Sequence, residues 1–516
     1  MPYDTLQDFL KALDAAGELR RIKSAVDPIL EVAEITDRVS KAADREGNYP
    51  GSAAIGSDNR SGAPFSGRAP RHGTGAVNQA LLFENVVGSS LPLSINTFGS
   101  YKRMQMALGC ESFDDLAEKI AELTKPEVPS GIFNKIKKGI DFLKIGGYMP
   151  KVRSGSGALC QEVVHIDDAD LNTLPIIQCW PEDGGKYITF GQIVTKHPET
   201  GARNLGMYRV QVFGPKTTAM HWHPHHDGAR HFRAWAKLGK PCPLAITLGG
   251  ESVLPYSATA PLPPGIDEHM LAGFLQGRGL DLVPCKTVPL EVSANCEIVI
   301  EGYVDPRQTI LEGPFGDHTG FYSLAGQFPV FNVTAITHRR NPIYPTTIVG
   351  KPPQEDYYMG KATERIFLPL LKIIVPDIVD YDLPMFGVFH SCAFVKIKKE
   401  YPYHARKVMS AIWGAGQMAW TKMIVIVDEE VDVHSIDDVM FHVSGNVDPK
   451  RDIVMVDGPL DILDHAAPFE GAGSKMGIDA TRKWPGEGQV RDWPSEIQMD
   501  AATVEKVTKR WKEYGF

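Results

Sequence analysis

Five histidines crowd into the eleven positions HWHPHHDGARH, as His221, His223, His225, His226 and His231. Imidazole is a common ligand for divalent metals. On an extended chain, side chains two apart share a face. His221, His223 and His225 would then point one way and His226 the other, unless Pro224 bends the chain. The segment reads either as a metal site using at least one of these rings or as a loop of partly exposed histidines. It lacks H-E-x-x-H spacing, which argues against a site made of these histidines alone. A second segment, ILEGPFGDHTGFY, sets Glu312 and Asp317 five apart across a turn rich in Gly and Pro. Two carboxylates held close split their pKa values, leaving one able to donate a proton near neutral pH. Asp and Gly are also the ordinary residues of a chain reversal. A third segment, RNLGMYRVQVF, places Asn204 and Arg209 around a strand, with Met207 and Tyr208 between them. Arg209 offers a planar fork of donors to a carboxylate, though an arginine on a strand is as often a solvated or ion-paired residue. In GAGSKMGIDATRKWPGE, small residues around Ser474 would let backbone approach a ligand, and Lys475 or Lys483 could meet a phosphate. The spacing there is not that of a P-loop. Finally, GGESVLPYSATAPLPPGIDE is a long Pro-rich connection ending at Glu268, and long loops in compact domains often serve a site.

These segments need elements to position them. Residues 1–44 read as helical with a break near Asp27–Pro28, and Phe9, Leu10, Leu13 and Leu19 predict an amphipathic helix closed at Gly17. Residues 45–78, rich in Gly, Ser, Pro and Ala, read as a surface loop or insertion. LLFENVVG reads as a strand. SYKRMQMALG and SFDDLAEKIAELT read as helices, the second capped by Ser112 with Asp115 at the capping-box position. From about 160 to 340, short β runs such as YITFGQIVTKH, LGMYRVQVFG, LAITLGG and FPVFNVTAITHR predict an antiparallel sheet or barrel. It is interrupted by a helix, DGARHFRAWAKLG, ending at Gly239. Beyond 341, helices and strands alternate as in an α/β layer. TVEKVTKRWKEYG closes the chain as a charged helix of the kind that packs on a neighbouring subunit.

Composition bounds the class. A chain of 516 residues is too long for one core. Its 43% hydrophobic and 23% charged content is ordinary for a globular protein. The net charge of −9 argues against nucleic-acid binding. No apolar run reaches the roughly 18–20 residues of a membrane helix, and the N-terminus has no secretory pattern. Seven cysteines without a C-x-x-C pair predict reduced thiols in a cytoplasmic protein.

Taken in order, FGSYKRMQMALG, NLGMYRVQVFG, the tryptophan–histidine stretch at 222–225, PLPPGIDE, EIVIEGYV, LEGPFGDHTGFY and GSKMGIDATRKWPGE resemble the UbiD decarboxylase family over nearly the whole chain. Several look closest to the bacterial 4-hydroxy-3-polyprenylbenzoate decarboxylases. The resemblance implies an α/β (α+β) fold in three parts. An N-terminal α/β region spans 1–125, with the inserted loop 45–78. A central split β-barrel resembling flavin reductases spans 126–340 and binds prenylated FMN. A C-terminal α/β oligomerisation domain with a terminal helix spans 341–516. The implied activity is reversible, non-oxidative decarboxylation of an aromatic acid of hydroxybenzoate or polyprenyl-hydroxybenzoate type, or of another conjugated or heteroaromatic acid. The implied partners are a flavin prenyltransferase that supplies the cofactor and further copies of the chain, as a homodimer or homohexamer. The resemblance further implies Mn2+ (or Mg2+), with K+ as a possible second ion, between the flavin phosphate and the protein.

Carried over by position, the family's metal ligands fall on Asn204, His225 and Glu268. An Asn, His and Glu set is a mostly oxygen site suited to Mn2+ or Mg2+. The catalytic arginine falls on Arg209 and the paired acids on Glu312 and Asp317. Cofactor positions fall on Met207, Tyr208, Arg209, His221, Trp222, His223, His226 and Asp227. The resemblance makes Glu312 the holder of Arg209, Arg209 the group that orients a substrate carboxylate, and Asp317 the proton donor. Asp at the second acid position leans toward aromatic acids. His226 and Asp227 depart from the Arg and Gly that near relatives carry, and an acid beside a phosphate is repulsive unless screened. A plain flavin oxidoreductase would be expected to use a nicotinamide cofactor, for which no G-x-G-x-x-G is present. A non-catalytic subunit would be expected to lack Arg209, Glu312 or Asp317.

Overall fold

The computed structural model describes residues 1–44, 76–124, 146–223, 226–262, 265–389 and 391–516. The loop expected at 45–78 falls mainly, and His225 wholly, outside the described residues. The fold is mixed α/β.

At the N-terminus, Thr5 caps the helix Leu6–Ala15 by accepting from the Asp8 N–H at 3.1 Å. Leu6, Phe9, Leu10 and Leu13 form its buried face. Leu19 does not extend that face as expected. Gly17, at φ +73°, reverses the chain, and Leu19 opens the strand Leu19–Ile22. That strand lies in a four-stranded sheet with Ala80–Phe83, Leu93–Ile95 and Tyr344–Pro345. The cap on the helix Phe113–Thr124 forms as expected: the Ser112 N–H donates to Asp115 at 2.9 Å and the Ser112 hydroxyl accepts from the Asp114 N–H at 3.2 Å.

The central sheet is antiparallel. Its strands in chain order are β1 (Val163–His165), β2 (Lys186–Ile188), β3 (Gln192–Lys196), β4 (Arg203–Met207), β5 (Val210–Val212), β6 (Thr217–Met220), β7 (Cys242–Gly249), β8 (Cys296–Glu312) and β9 (Gly326–His338). The spatial order is β2-β5-β6-β9-β8-β7-β3-β4, with β1 paired to the end of β9. β7 is buried along its whole length. That is why LAITLGG reads as a continuous apolar run rather than an alternating one. β8 and β9 form a long hairpin whose register ends with Glu312 opposite Gly326. The turn between them carries Asp317. The helix Asp227–Lys237 follows β6 and ends before Gly239, as its sequence predicts.

The C-terminal sheet has five strands, Ile378–Asp382, Cys392–Ile397, Met423–Val427, Ala472–Asp479 and Ile453–Pro459 in spatial order. The inner pairings are parallel and the outer ones antiparallel. Parallel neighbours need crossovers, and helices such as His404–Trp413 supply them. This sheet corrects one expectation. Lys475 is buried within a strand and donates to the Ala419 carbonyl. Lys483 is held by Asp479 at 3.1 Å and by the carbonyls of Asp479 and Thr481. Both ammonium groups are buried and engaged by the fold, and neither is presented to a phosphate. The terminal helix Ala501–Lys509 has no buried residue. All seven cysteines are free thiols. Among the described residues, no helix is long and apolar enough to cross a membrane.

Candidate active site

Arg209 sits in the link between β4 and β5, with its side chain only 8% exposed. A buried guanidinium cannot shed its charge, so it requires anionic partners. The β8–β9 hairpin supplies two. Arg209 Nε and Nη2 donate to the two oxygens of Glu312 at 2.8 and 3.1 Å. Arg209 Nη1 donates to Asp317 Oδ2 at 2.7 Å. The guanidinium lies over the Phe315 ring, 4.7 Å from its centroid. The fold therefore brings Arg209, Glu312 and Asp317 together, as expected.

Each acid has a second partner. His221, just past β6, donates from Nδ1 to Glu312 Oε2 at 2.9 Å and stacks on Phe328 at 4.0 Å. Burial keeps this imidazole neutral by lowering its pKa, so the bond to a carboxylate fixes the proton on Nδ1. His318 donates its backbone N–H and its Nδ1–H to Asp317 Oδ1, at 2.8 and 3.0 Å. The result is a row of alternating charge running from Glu312 through Arg209 and Asp317 to His318.

This row corrects the expectation that one acid would be poised near neutral pH. Burial alone would raise both carboxyls, but the partners outweigh it. Hydrogen bonds from His221 and Arg209 bring Glu312 down to about 2. The His318 bond and charge, with Arg209, hold Asp317 well below the usual carboxylate range. The two acids do not share a proton because a cation lies between them. The basic end of the row is His318: burial opposes its charge, yet Asp317, Asp356 and Asp461 push it up to about 9.

Two supports behind the acid turn carry no signal that sequence reading picks out. Asp183 accepts from the N–H groups of Gly316, Trp180 and Cys179 at 2.7, 2.8 and 3.1 Å. Gln211 Oε1 accepts from the Gly313 N–H at 2.8 Å and from the Tyr187 hydroxyl at 3.0 Å. Gly316 must lack a side chain, because a Cβ there would fall 2.1 Å from the Trp180 ring. His318 was in plain view within the GDHTG stretch, but nothing in its spacing marks it as a partner of Asp317.

Most of the other expected positions are joined to one another by ring contacts. Tyr208 is buried, stacked on His226 at 5.0 Å and edge-on to Trp222 at 6.4 Å. Gly206 allows this, since a Cβ there would lie 2.3 Å from the Tyr208 hydroxyl. His221 and His223 meet edge to face at 5.3 Å, and His223 stacks on His226 at 4.9 Å. Met207 is half-buried at the end of β4. Asp227 opens the Asp227–Lys237 helix, where the dipole favours an acid, and pairs with Arg230 at 2.8 Å. The acid beside the expected phosphate position thus brings its own cation.

Asn204 lies within β4 and Glu268 opens the helix Glu268–Gln276. Glu268 Oε2 accepts from the N–H of Leu205, the residue after Asn204, at 2.8 Å. Both side chains are buried. Among the described residues the buried Asn204 amide nitrogen makes no hydrogen bond of good geometry, although it interacts with the Tyr208 hydroxyl, and burial pushes the Glu268 carboxyl up to about 7 despite the Leu205 bond. A buried amide and a carboxylate short of positive charge fit a hard divalent cation. His225 lies outside the described residues. Among the described residues, Glu364, Asp382 and His434 also converge, but Lys361 already bonds both carboxylates there.

The N-terminal, Rift-related and C-terminal domains of the 3-octaprenyl-4-hydroxybenzoate carboxy-lyase family, UbiD, match residues 10–49 with 67–123, 151–352 and 357–480. The chain belongs to the UbiD family. As such it is a carboxy-lyase. It is 46% identical to an uncharacterized protein of Aquifex aeolicus and 44% identical to one of Archaeoglobus fulgidus, over 99% of every chain. Two UbiD-class structures are similar over the full length. One is the vanillic acid decarboxylase of Sedimentibacter hydroxybenzoicus in closed form, with a TM-score of 0.81, 25% identity, and 100% of this chain and 99% of that chain covered. The other is HmfF of Pelotomaculum thermopropionicum in complex with FMN, at 0.74 and 26% identity, covering 98% and 99%. An evolved dimeric form of HmfF in complex with prFMN aligns at 0.73 and 26% identity, covering 97% and 100%.

Proposed function

We propose that this UbiD-family enzyme decarboxylates a small aromatic acid using prenylated FMN and a divalent metal. The observation that carries the reading is the buried Glu312–Arg209–Asp317–His318 row, together with the buried pair Asn204 and Glu268. FMN and prFMN in complexes of HmfF support the cofactor. The likeness to a vanillic acid decarboxylase supports an aromatic acid. A cleft lined by His318, Asp356, Tyr357, Met385 and Phe389 opens beside the acid turn.

Asn204, Glu268 and His225 would hold Mn2+ or Mg2+, with K+ as an accessory ion. Met207, Tyr208, His221, Trp222, His223, His226 and Asp227 would line the flavin. When bound, prenylated FMN supplies an electron sink for the pair left on carbon as CO2 departs. Arg209 would orient the substrate carboxylate with the guanidinium edge that Glu312 fixes. Asp317 would deliver the proton that replaces CO2. The reverse reaction follows the same path at high CO2. A flavin prenyltransferase would supply the cofactor, the free thiols fit the cytoplasm, and the exposed terminal helix fits a homodimer or homohexamer.

The test is co-expression with a flavin prenyltransferase, anaerobic purification, and a screen of CO2 release and H/D exchange over aromatic, heteroaromatic and acrylic acids. Turnover of at least one aromatic acid is expected. A prenylated-FMN-loaded enzyme inert toward all of them would sink the reading. Glu268→Gln should lower retained Mn2+ and flavin together by at least about tenfold, read by metal analysis and the flavin absorbance. Unchanged contents would remove Glu268 from the metal site.

A further inference from the structure

Asp317 Oδ2 is occupied by Arg209, a donor that never releases its proton. Among the described residues, Asp317 Oδ1 is met by one titratable donor, the Nδ1 of His318 at 3.0 Å. The His318 ring also borders two clefts. One is lined by Asp356, Lys361 and Phe389, the other by Thr319, Ser391, Lys422, Asp461 and Asp464. The second is the more polar in its residues. We propose that His318 is the proton reservoir of Asp317, handing its Nδ1 proton to that carboxyl in each turnover and recovering one from solvent before the next. This rests on the decarboxylase reading of the site.

Loss of CO2 from a carboxylate leaves an electron pair on carbon that takes up one proton. In the proposed sequence the Nδ1–H bond of His318 breaks as an Oδ1–H bond forms on Asp317. That O–H bond then breaks as the new C–H bond forms. The neutral ring, left with its proton on Nε2, regains the Nδ1 proton from solvent before the next turnover, and no oxidant or reductant is needed. Asp317, held anionic between two cations, carries little proton of its own at neutral pH, whereas its partner ring is protonated. Among the described residues, the charged groups facing the ring are Asp317 on its own turn, Asp356 and Lys361 from the Glu355–Ile374 helix, Lys422 before the strand Met423–Val427, and Asp461 and Asp464 from the loop beyond Ile453–Pro459. The acids favour the cation and the two lysines oppose it. His318 acts through Asp317 and is a positioning residue.

His318→Asn keeps an N–H toward Asp317 but removes the titrating ring. In the loaded enzyme kcat should fall at least about tenfold with KM within about twofold, and the alkaline fall of kcat near pH 9 should vanish. Activity of His318→Ala should recover with added imidazole, a rescue that a merely structural role would not show. A second readout needs neither substrate nor cofactor. In apo protein labelled at histidine Cε1, one resonance absent from His318→Asn and His318→Gln should titrate near pH 9, and Asp317→Asn should lower its midpoint by at least about one unit. A midpoint near 6.5, or a His318→Asn enzyme with wild-type kcat and an unmoved alkaline limb, would overturn the proposal. If no acid is turned over, the function fails while the titration still decides the His318–Asp317 coupling.

Discussion

Arg209→Met should unfold about 3–5 kcal/mol more easily than the wild-type chain at neutral pH and should lose activity by about 10²–10³-fold. Arg209 makes three hydrogen bonds to two carboxylates that have almost no water to fall back on. Methionine fills the space over Phe315 but leaves both anions uncompensated, and breaking a buried pair costs far more than replacing all of it. The pH dependence has a definite sign. Glu312 and Asp317 are depressed in the native state. Their contribution is therefore present above the unfolded carboxylate range and is lost as pH falls through it toward about 2. In the variant both acids will protonate readily, so the stability gap between the two proteins should narrow below about pH 4. Urea denaturation of the apo proteins at pH 7 and pH 4 measures it. Arg209→Lys keeps the charge but not the fork and should fall between the two. A variant with the wild-type midpoint at neutral pH would show that the row is not what holds this end of the sheet.

Asp317→Asn should leave flavin and metal content unchanged while reducing kcat by about 10²–10⁴-fold, the usual worth of a positioned general acid. The substitution is nearly isosteric, and its oxygen can still accept from Arg209 or from His318. It cannot accept from both and also carry a transferable proton. Glu312→Gln supplies the contrast. Glu312 orients Arg209 and His221 without receiving a transferred proton, so its loss should weaken carboxylate binding, raising KM along with lowering kcat. An Asp317→Asn enzyme with full activity would move the proton chemistry elsewhere.

Much of the architecture is legible from local pattern. The short β runs from 160 to 340 become the antiparallel sheet, and DGARHFRAWAKLG becomes a helix ended by Gly239. Local rules work there because side-chain periodicity follows backbone geometry. The pairing of Arg209 with Glu312 and Asp317 is different. These residues lie 103 and 108 positions apart, and no local rule joins them; the ordered family motifs did. Charge state was the least legible property. The spacing of Glu312 and Asp317 suggests a split pair, and only the fold shows Arg209 between them and a histidine on either flank. Lys475 fails for a related reason, since a lysine among small residues looks exposed until the strand buries it.

The wide separation of Arg209 from its acids also bears on how the chain reaches its native state. The β8–β9 hairpin can zip from its own turn, but closing it around two unpaired carboxylates is unfavourable until the β4–β5 link arrives. Contacts across more than a hundred residues form late, because loop closure must come first. The catalytic end of the hairpin should therefore be among the last parts to lock. A chain that has folded its sheets but not brought Arg209 home would be compact yet inactive. Amide exchange at 313–318 should report that last step, with protection appearing together with activity during refolding.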